Sequence, residues 1–367
     1  MAEVGPAASR ANLRTAKPKF PDFLIIGAQK AGTSWLAANL SRHPDVWTPP
    51  VKELHYFDER IEESPFGASL PRLCLKGYTD EDWYPWYWRY QASLFLEGFS
   101  RRWGKKPDRR TFSWALKFFL HPPSDRWYAS LFEQGRGMTT GEATPEYAIL
   151  EERKIAHVRE LMPDARIVFF MRNPIERIYS SVLMRLRNLE MMGRRTEADE
   201  RFFEGFFREN EVVYKTKYLW SLERWRRFYP EEQIFVGFLE DIHFHPDRLL
   251  QRLHEFLGVD PSRAPGVGRS RVNAAYRETM PSRLAVQLAH AYHEDLRRLS
   301  ERFGGYADFW LYCAENLMDD PPEKEEIVHP LWESWLWEEW QSGRRPAAPA
   351  HDAPDREEIQ SRTLIWS

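Results

Sequence analysis

The segment Gly27-Ala28-Gln29-Lys30-Ala31-Gly32-Thr33-Ser34 gathers two glycines, a lysine and two hydroxyls between an apolar run and a helical pattern. Backbone N–H groups at such a turn point outward, and the dipole of the following helix favours negative charge. Glycine lets a ligand approach the backbone closely. Thr33 and Ser34 add hydroxyl donors, so the chemistry on offer is phosphate binding. Gly27 and Gly32 have the separation of the pattern G-x-x-x-x-G-K-[ST]. Thr33, however, follows Gly32 where that pattern has lysine, and the cation sits inside the loop at Lys30. A P-loop kinase or NTPase site and a plain glycine turn with a surface lysine are the competing readings.

A second anion site is legible in Arg172-Asn173-Pro174-Ile175-Glu176-Arg177-Ile178-Tyr179-Ser180. Asn caps a helix, Pro fills its first position and Glu stands three after the cap. Ser180 then falls about two turns along, on the face that includes the helix start. Arg172 projects from the end of the preceding strand, the edge at which open parallel sheets bind ligands. An arginine fork with a hydroxyl suits a phosphate monoester. An arginine paired with a carboxylate, beside a helix-surface serine, is the plainer alternative.

The elements that must position these residues alternate. Phe20–Ile26, Met138–Glu142, Arg166–Met171 and Gln233–Phe238 read as strands. Thr33–Arg42 and Pro246–Leu257 read as helices, the second closed by Gly258. The fold class expected is α/β: three αβα layers around a central parallel sheet. Residues 1–18 read as a flexible N-terminus and 19–318 as the main domain. Residues 61–122 read as an insertion carrying the aromatic stretch Asp82–Tyr90. Residues 319–367 read as a Trp-rich extension whose last part, 343–367, is a flexible or draped tail. Trp332, Trp335 and Trp340 are expected on one side of a helix.

Composition sets outer bounds. A net charge of −3 excludes a polycation that coats nucleic acid, but not a local anion cleft. Two cysteines, Cys74 and Cys313, make neither a disulfide framework nor a metal cluster. No apolar run is long enough to span a membrane, and residues 1–19 lack the apolar core of a secretory signal. A cytoplasmic location is the default expectation.

Together, the two anion segments resemble the PAPS-dependent sulfotransferase family, PAPS being 3′-phosphoadenosine 5′-phosphosulfate. Gly27–Ser34 resembles its 5′-phosphosulfate loop, G-x-x-K-x-G-T-[ST], and Arg166–Ser181 its 3′-phosphate strand–turn–helix, R-[DN]-P-x-x-R-x-x-S. Lys52-Glu53-Leu54-His55-Tyr56-Phe57-Asp58 is similar to the segment carrying the catalytic glutamate of heparan-type members. Tyr218, Leu222, Trp225 and the runs QIFVGFLEDI and HPDRLLQRLHEFLGV resemble later elements of that branch. The likeness covers about residues 20–310. Glu142-Ala143-Thr144-Pro145 lacks the lysine that glycan-acting relatives often carry after the glutamate, which argues against a heparan-like polyanionic acceptor. Arg269, Arg271 and Asn273 stand where the family's late 3′-phosphate loop falls, in a loose match.

The resemblance implies a P-loop-like sulfotransferase fold and a soluble, bacterial-type enzyme. It would move a sulfuryl group from PAPS to a hydroxyl or amine of a small-molecule or carbohydrate acceptor, releasing PAP (3′-phosphoadenosine 5′-phosphate) without a metal. Gly27, Gln29, Lys30, Ala31, Gly32, Thr33 and Ser34 would hold the 5′-phosphate, and Arg172, Ser180 and Arg271 the 3′-phosphate. Lys30 would stabilise the leaving phosphate and Glu53 would be the general base. His55 would orient the acceptor or share its proton, supported by Asp58. A solvated Glu53 beside Lys52, and a packed His55, are the structural alternatives. A sulfotransferase-like fold kept as a catalytically silent binding module is the non-enzymatic rival.

Overall fold

The computed structural model describes residues 17–58, 108–194, 200–268, 279–343 and 358–366. Its centre is a six-stranded sheet. The strands are β1 (Phe23–Gly27), β2 (Val46–Trp47), β3 (Thr139–Ala143), β4 (Arg166–Met171), β5 (Ile234–Phe238) and β8 (Arg362–Thr363), in the order β2-β3-β1-β4-β5-β8. The first five run parallel. Every residue of β1 and β5 is buried, as expected of strands covered on both faces. The central pair is in register from Phe23↔Arg166 to Ile25↔Val168, then shifts before Gly27↔Phe169. That irregularity lies where β1 gives way to the glycine turn.

Helices connect the parallel strands. They include α1 (Thr33–Leu40), α2 (Arg109–Leu120), α3 (Asp125–Ser130), α4 (Glu152–Leu161) and α5 (Pro174–Met191). Asn173 caps α5 by accepting from the Ile175 N–H at 3.0 Å, with Pro174 at the first helical position. After β5 come α9 (Leu239–Phe244), α10 (Pro246–Phe256), α11 (Ser282–Phe303) and α12 (Tyr306–Asp319); α6 (Glu200–Arg208), α7 (Asn210–Tyr214) and α8 (Tyr218–Trp225) lie between α5 and β5. A short ladder, β6 (Thr279–Pro281) with β7 (Glu326–Val328), ties the start of α11 to the C-terminal segment.

The sheet departs from the all-parallel expectation at one edge. Residues 358–366, read from sequence as part of a tail, include β8, which pairs antiparallel with β5 through Phe235↔Thr363 and Val236↔Arg362. Asp241 fastens this strand: its carboxylate accepts from the Ser361 N–H at 2.7 Å, the Ser361 hydroxyl at 2.5 Å and the Gln360 N–H at 3.1 Å. The tryptophans also differ from expectation. Helix α13 (Trp335–Gln341) buries Trp337 and Trp340 against Phe309, whereas Trp335 is 38% exposed and Trp332 lies in the preceding 3-10 turn. Of the expected insertion, residues 108–122 are described, and α2 buries Trp114 and Phe118 in the core. The stretch Asp82–Tyr90 lies outside the described residues, as does Cys74; Cys313 is a buried free thiol.

Candidate functional site

Because five strands run parallel, their carboxyl ends share one edge, and the residues singled out from sequence follow those ends. The glycine turn follows β1, Glu53 and His55 follow β2, and Arg172 follows β4. This is the edge at which ligands bind in open α/β sheets.

In the glycine turn, the Ala28 N–H donates to the Phe170 carbonyl at 2.6 Å and the Ala31 N–H to the Ala28 carbonyl at 3.1 Å, which fixes the loop on β4. Gly32 precedes α1 at φ 87°, a left-handed conformation that side chains resist. A Cβ there would also stand 2.4 Å from Ile242 Cδ1 of α9. The N–H groups in the first turn of α1 have no intrahelical acceptor, by the geometry of any helix start. Thr33 is buried beside them and Ser34 is half-buried.

Among the described residues, three that are not glycine have positive φ: Lys30 (72°), Glu53 (64°) and His55 (50°). Such residues are uncommon, and they persist where surrounding contacts over-determine them. The Lys52–Asp58 loop is over-determined in this way. The buried Glu142 carboxylate accepts from the Leu54 N–H (3.3 Å), the Tyr128 hydroxyl (2.5 Å), the Thr144 hydroxyl (2.7 Å) and the Tyr147 hydroxyl (3.1 Å). The Tyr147 hydroxyl in turn accepts from the Tyr56 N–H at 3.0 Å, and Tyr56 donates its own hydroxyl to Asp125 at 2.6 Å. Burial raises the Glu142 carboxyl above its ordinary range against these hydrogen bonds.

Charges converge on the loop. Lys52 Nζ lies 2.8 Å from Glu53 Oε1 and 3.4 Å from Thr33 Oγ1. His55 Nδ1 is 2.5 Å from Asp58, and its Nε2 is 3.5 Å from Glu53. Burial would raise the Glu53 carboxyl, but Lys52 and His55 outweigh it and hold the group well below the usual carboxylate range. Burial opposes charge on His55, yet Asp58 and Glu53 prevail and raise it well above its ordinary range. Burial, with Arg172 and Lys52 nearby, lowers the Lys30 ammonium to about 8, against the pull of Glu53. Sequence reasoning missed Glu146, which accepts from Gln29 at 2.8 Å and pairs with Lys215 at 3.3 Å. Ligand atoms of Glu53, His55 and Glu146 come within 4.8 Å of one another and could converge on a cation. Both carboxylates are already matched by an ammonium, Lys52 and Lys215, which a metal ion would have to displace.

At the second segment, Arg172 is nearly buried. Its Nη1 donates to the Lys30 carbonyl at 3.4 Å, and its Nη2 lies 3.1 Å from His329 Nε2. The guanidinium Nε is buried without a partner, as is the Asn173 side-chain nitrogen. Ser180 is 8% exposed, on the second turn of α5. Arg177 is fully buried, its Nη1 and Nη2 donating to Ser181 Oγ and the Val212 carbonyl, while its Nε is buried without a partner. Glu176 does not close a capping box. Its carboxylate accepts from the Leu331 N–H at 2.9 Å and faces His329. Nothing in the sequence joins His329 to Arg172, 157 positions apart. Arg271, with Arg269 and Asn273, lies outside the described residues.

With this arrangement in view, relatives can be compared. The description "Sulfotransferase family" matches residues 21–263, and the chain belongs to that family. Those residues include both anion segments and the Lys52–Asp58 loop. The match is to the family as a whole and does not single out the heparan-type branch. No curated protein matches. Among solved structures, a sulfotransferase from Alicyclobacillus acidocaldarius is 24% identical over 77% of this chain and 94% of its own, with a TM-score of 0.48. The sulfotransferase domain from the curacin biosynthetic pathway is 18% identical over 70% of this chain and 82% of its own, with a TM-score of 0.43. That of the Synechococcus PCC 7002 olefin synthase is 16% identical over 76% and 96%, with a TM-score of 0.41. Among the described residues, no helix is long and apolar enough to cross a membrane.

Proposed function

We propose that this chain transfers a sulfuryl group from PAPS to a hydroxyl or amine of a small-molecule or carbohydrate acceptor. The observation that carries the reading is the placement of Lys30, Glu53 and His55. The three non-glycine residues held in left-handed backbone among those described sit on adjoining loops at one sheet edge, with Arg172 alongside. The unpartnered Arg172 Nε is a fitting donor for a phosphate oxygen, because a buried charged donor left unmatched is costly.

On this reading, the first-turn amides of α1, with Thr33 and Ser34, hold the 5′-phosphate, and Arg172 and Ser180 hold the 3′-phosphate. PAPS supplies an activated sulfuryl group on a phosphosulfate anhydride. Lys30 presents its ammonium to the negative charge that develops on the leaving phosphate, a preorganised electrostatic role. Glu53 is held ionised at neutral pH, and as the base it takes the acceptor's proton at the expense of its pairing with Lys52 and His55. His55, committed to Asp58, orients Glu53 rather than serving as the base itself. The in-line geometry that such a transfer needs is set by holding both reactants on rigid strand ends. No residue of this scheme requires a metal.

Thermal stabilisation by PAP, beside ATP with Mg²⁺ and adenosine 5′-phosphosulfate, tests the proposal. A large shift with PAP alone supports it. A shift with ATP·Mg²⁺ and none with PAP turns the reading to a kinase or NTPase, and no shift with any ligand turns it to a silent binding module.

A further inference from the structure

His329 comes from the C-terminal segment, beyond the residues that match the family, yet it lies against the candidate anion site. Its imidazole is 2% exposed, and its Nε2 stands 3.1 Å from Arg172 Nη2. Arginine has only donors, so Nε2 must be the accepting nitrogen and the ring hydrogen sits on Nδ1. That nitrogen lies 3.2 Å from Glu176 Oε1 but off the line of a hydrogen bond, and is buried without a hydrogen-bond partner. The ring is kept in place by Tyr179, packed edge-on at 5.2 Å, and by the Leu331 N–H, which donates to the same carboxylate at 2.9 Å. Arg172 Nη2 itself is 3.9 Å from Glu176 Oε1.

The imidazole therefore lies against a buried carboxylate and a buried guanidinium that are themselves within ion-pair range. Without the acceptor on Nε2, Arg172 Nη2 keeps only its ion pair with Glu176 and can swing further onto that carboxylate, aiming its fork at protein instead of ligand. With it, one edge of the fork is held by His329 and the Lys30 carbonyl, and the Nε–H stays unpaired. We infer that His329 is the positioning residue that aims Arg172 at the 3′-phosphate, so that preference for a 3′-phosphorylated nucleotide depends on the C-terminal segment. This inference rests on the PAPS reading above.

The test compares PAP with AMP, which lacks the 3′-phosphate, by calorimetric titration of the full-length chain. His329→Phe keeps a ring for Tyr179 to pack on but removes the acceptor. His329→Gln offers an amide oxygen to Arg172 and an N–H to Glu176. His329→Phe should weaken PAP about tenfold or more, the scale of a hydrogen bond to a charged group, and leave AMP affinity unchanged. His329→Gln should recover most of the PAP affinity. A PAP-to-AMP preference in His329→Phe equal to wild type overturns the inference, as does equal weakening of both nucleotides, which would mark a merely structural histidine. A wild-type chain that binds neither nucleotide, or both alike, rejects the PAPS reading itself before any variant is made.

Discussion

Lys30 should reveal itself by titration. Its ammonium is lowered by burial and by Arg172 and Lys52 to about 8, and anions bind its charged form. PAP affinity should therefore fall as pH rises through about 8, and the fall should vanish in Lys30→Met. Stability of the ligand-free chain should move the other way. The folded state holds this proton less tightly than the unfolded chain, whose lysine keeps the ordinary 10.5. Between those values the unfolded state binds more protons, so stability gains with pH relative to Lys30→Met. Melting curves across pH 7–10 for both proteins check the sign. Glu53→Gln should retain PAP binding and reduce transfer by roughly 10²–10⁴-fold, the usual worth of general-base help; single-turnover assays with PAPS and a working acceptor would show it, and normal transfer would remove Glu53 from the role. Lys30 was legible in sequence because phosphate chemistry dictates the types and spacing of a glycine loop, whereas Glu53 stood out only through the resemblance of Lys52–Asp58 and its place after the second strand. Glu176 was legible only as a helix cap, since its true neighbours, His329 and Leu331, come from a segment more than 150 positions away.

At the scale of elements, the glycine turn depends on a helix distant in sequence. Gly32 meets Leu239 and Ile242 of α9, so a methyl there is opposed by both backbone conformation and space. Gly32→Ala should lower PAP affinity and melting temperature together; adding Ile242→Ala relieves the contact but leaves φ at 87°, so recovery should be partial. Full recovery in the double variant would mean that packing alone requires the glycine. Strands β1, β4 and β5, and the helix that begins at Pro174, stand close to where apolar runs and capping residues put them. Those signals are local, and buried parallel strands are continuous apolar runs. The loop holding Glu53 and His55 was not legible as a shape. Its left-handed backbone is imposed by Glu142 and Tyr147, contacts 88 and 91 positions away.

For the molecule as a whole, the C-terminal segment is part of the site's foundation. Asp241 binds residues 360 and 361 from α9, the same helix that backs Gly32, and the Phe238 N–H donates to Ser361 Oγ at 3.1 Å. A chain ending at Gly343 leaves the buried Asp241 carboxylate without these donors. It should melt at a lower temperature and bind PAP more weakly than the full chain, while Ser361→Ala, which removes a hydroxyl but no backbone donor, should lose less. Equal melting of the truncated and full chains would show that the edge strand is dispensable. Composition could not reveal this segment's role: β8 is two residues long and follows a Pro- and Ala-rich stretch, and the segment's apolar run, Leu364-Ile365-Trp366, is too short to mark a strand.

The antiparallel edge strand also orders events in time. A chain leaving the ribosome completes β1 to β5 long before Arg362 and Thr363 exist, so the outer side of β5 then presents unpaired N–H and C=O groups beside apolar side chains. The nascent protein must pass through an interval in which another unfinished copy could pair at that edge. Crowded translation should therefore favour aggregation of chains arrested before Thr363 over that of finished ones.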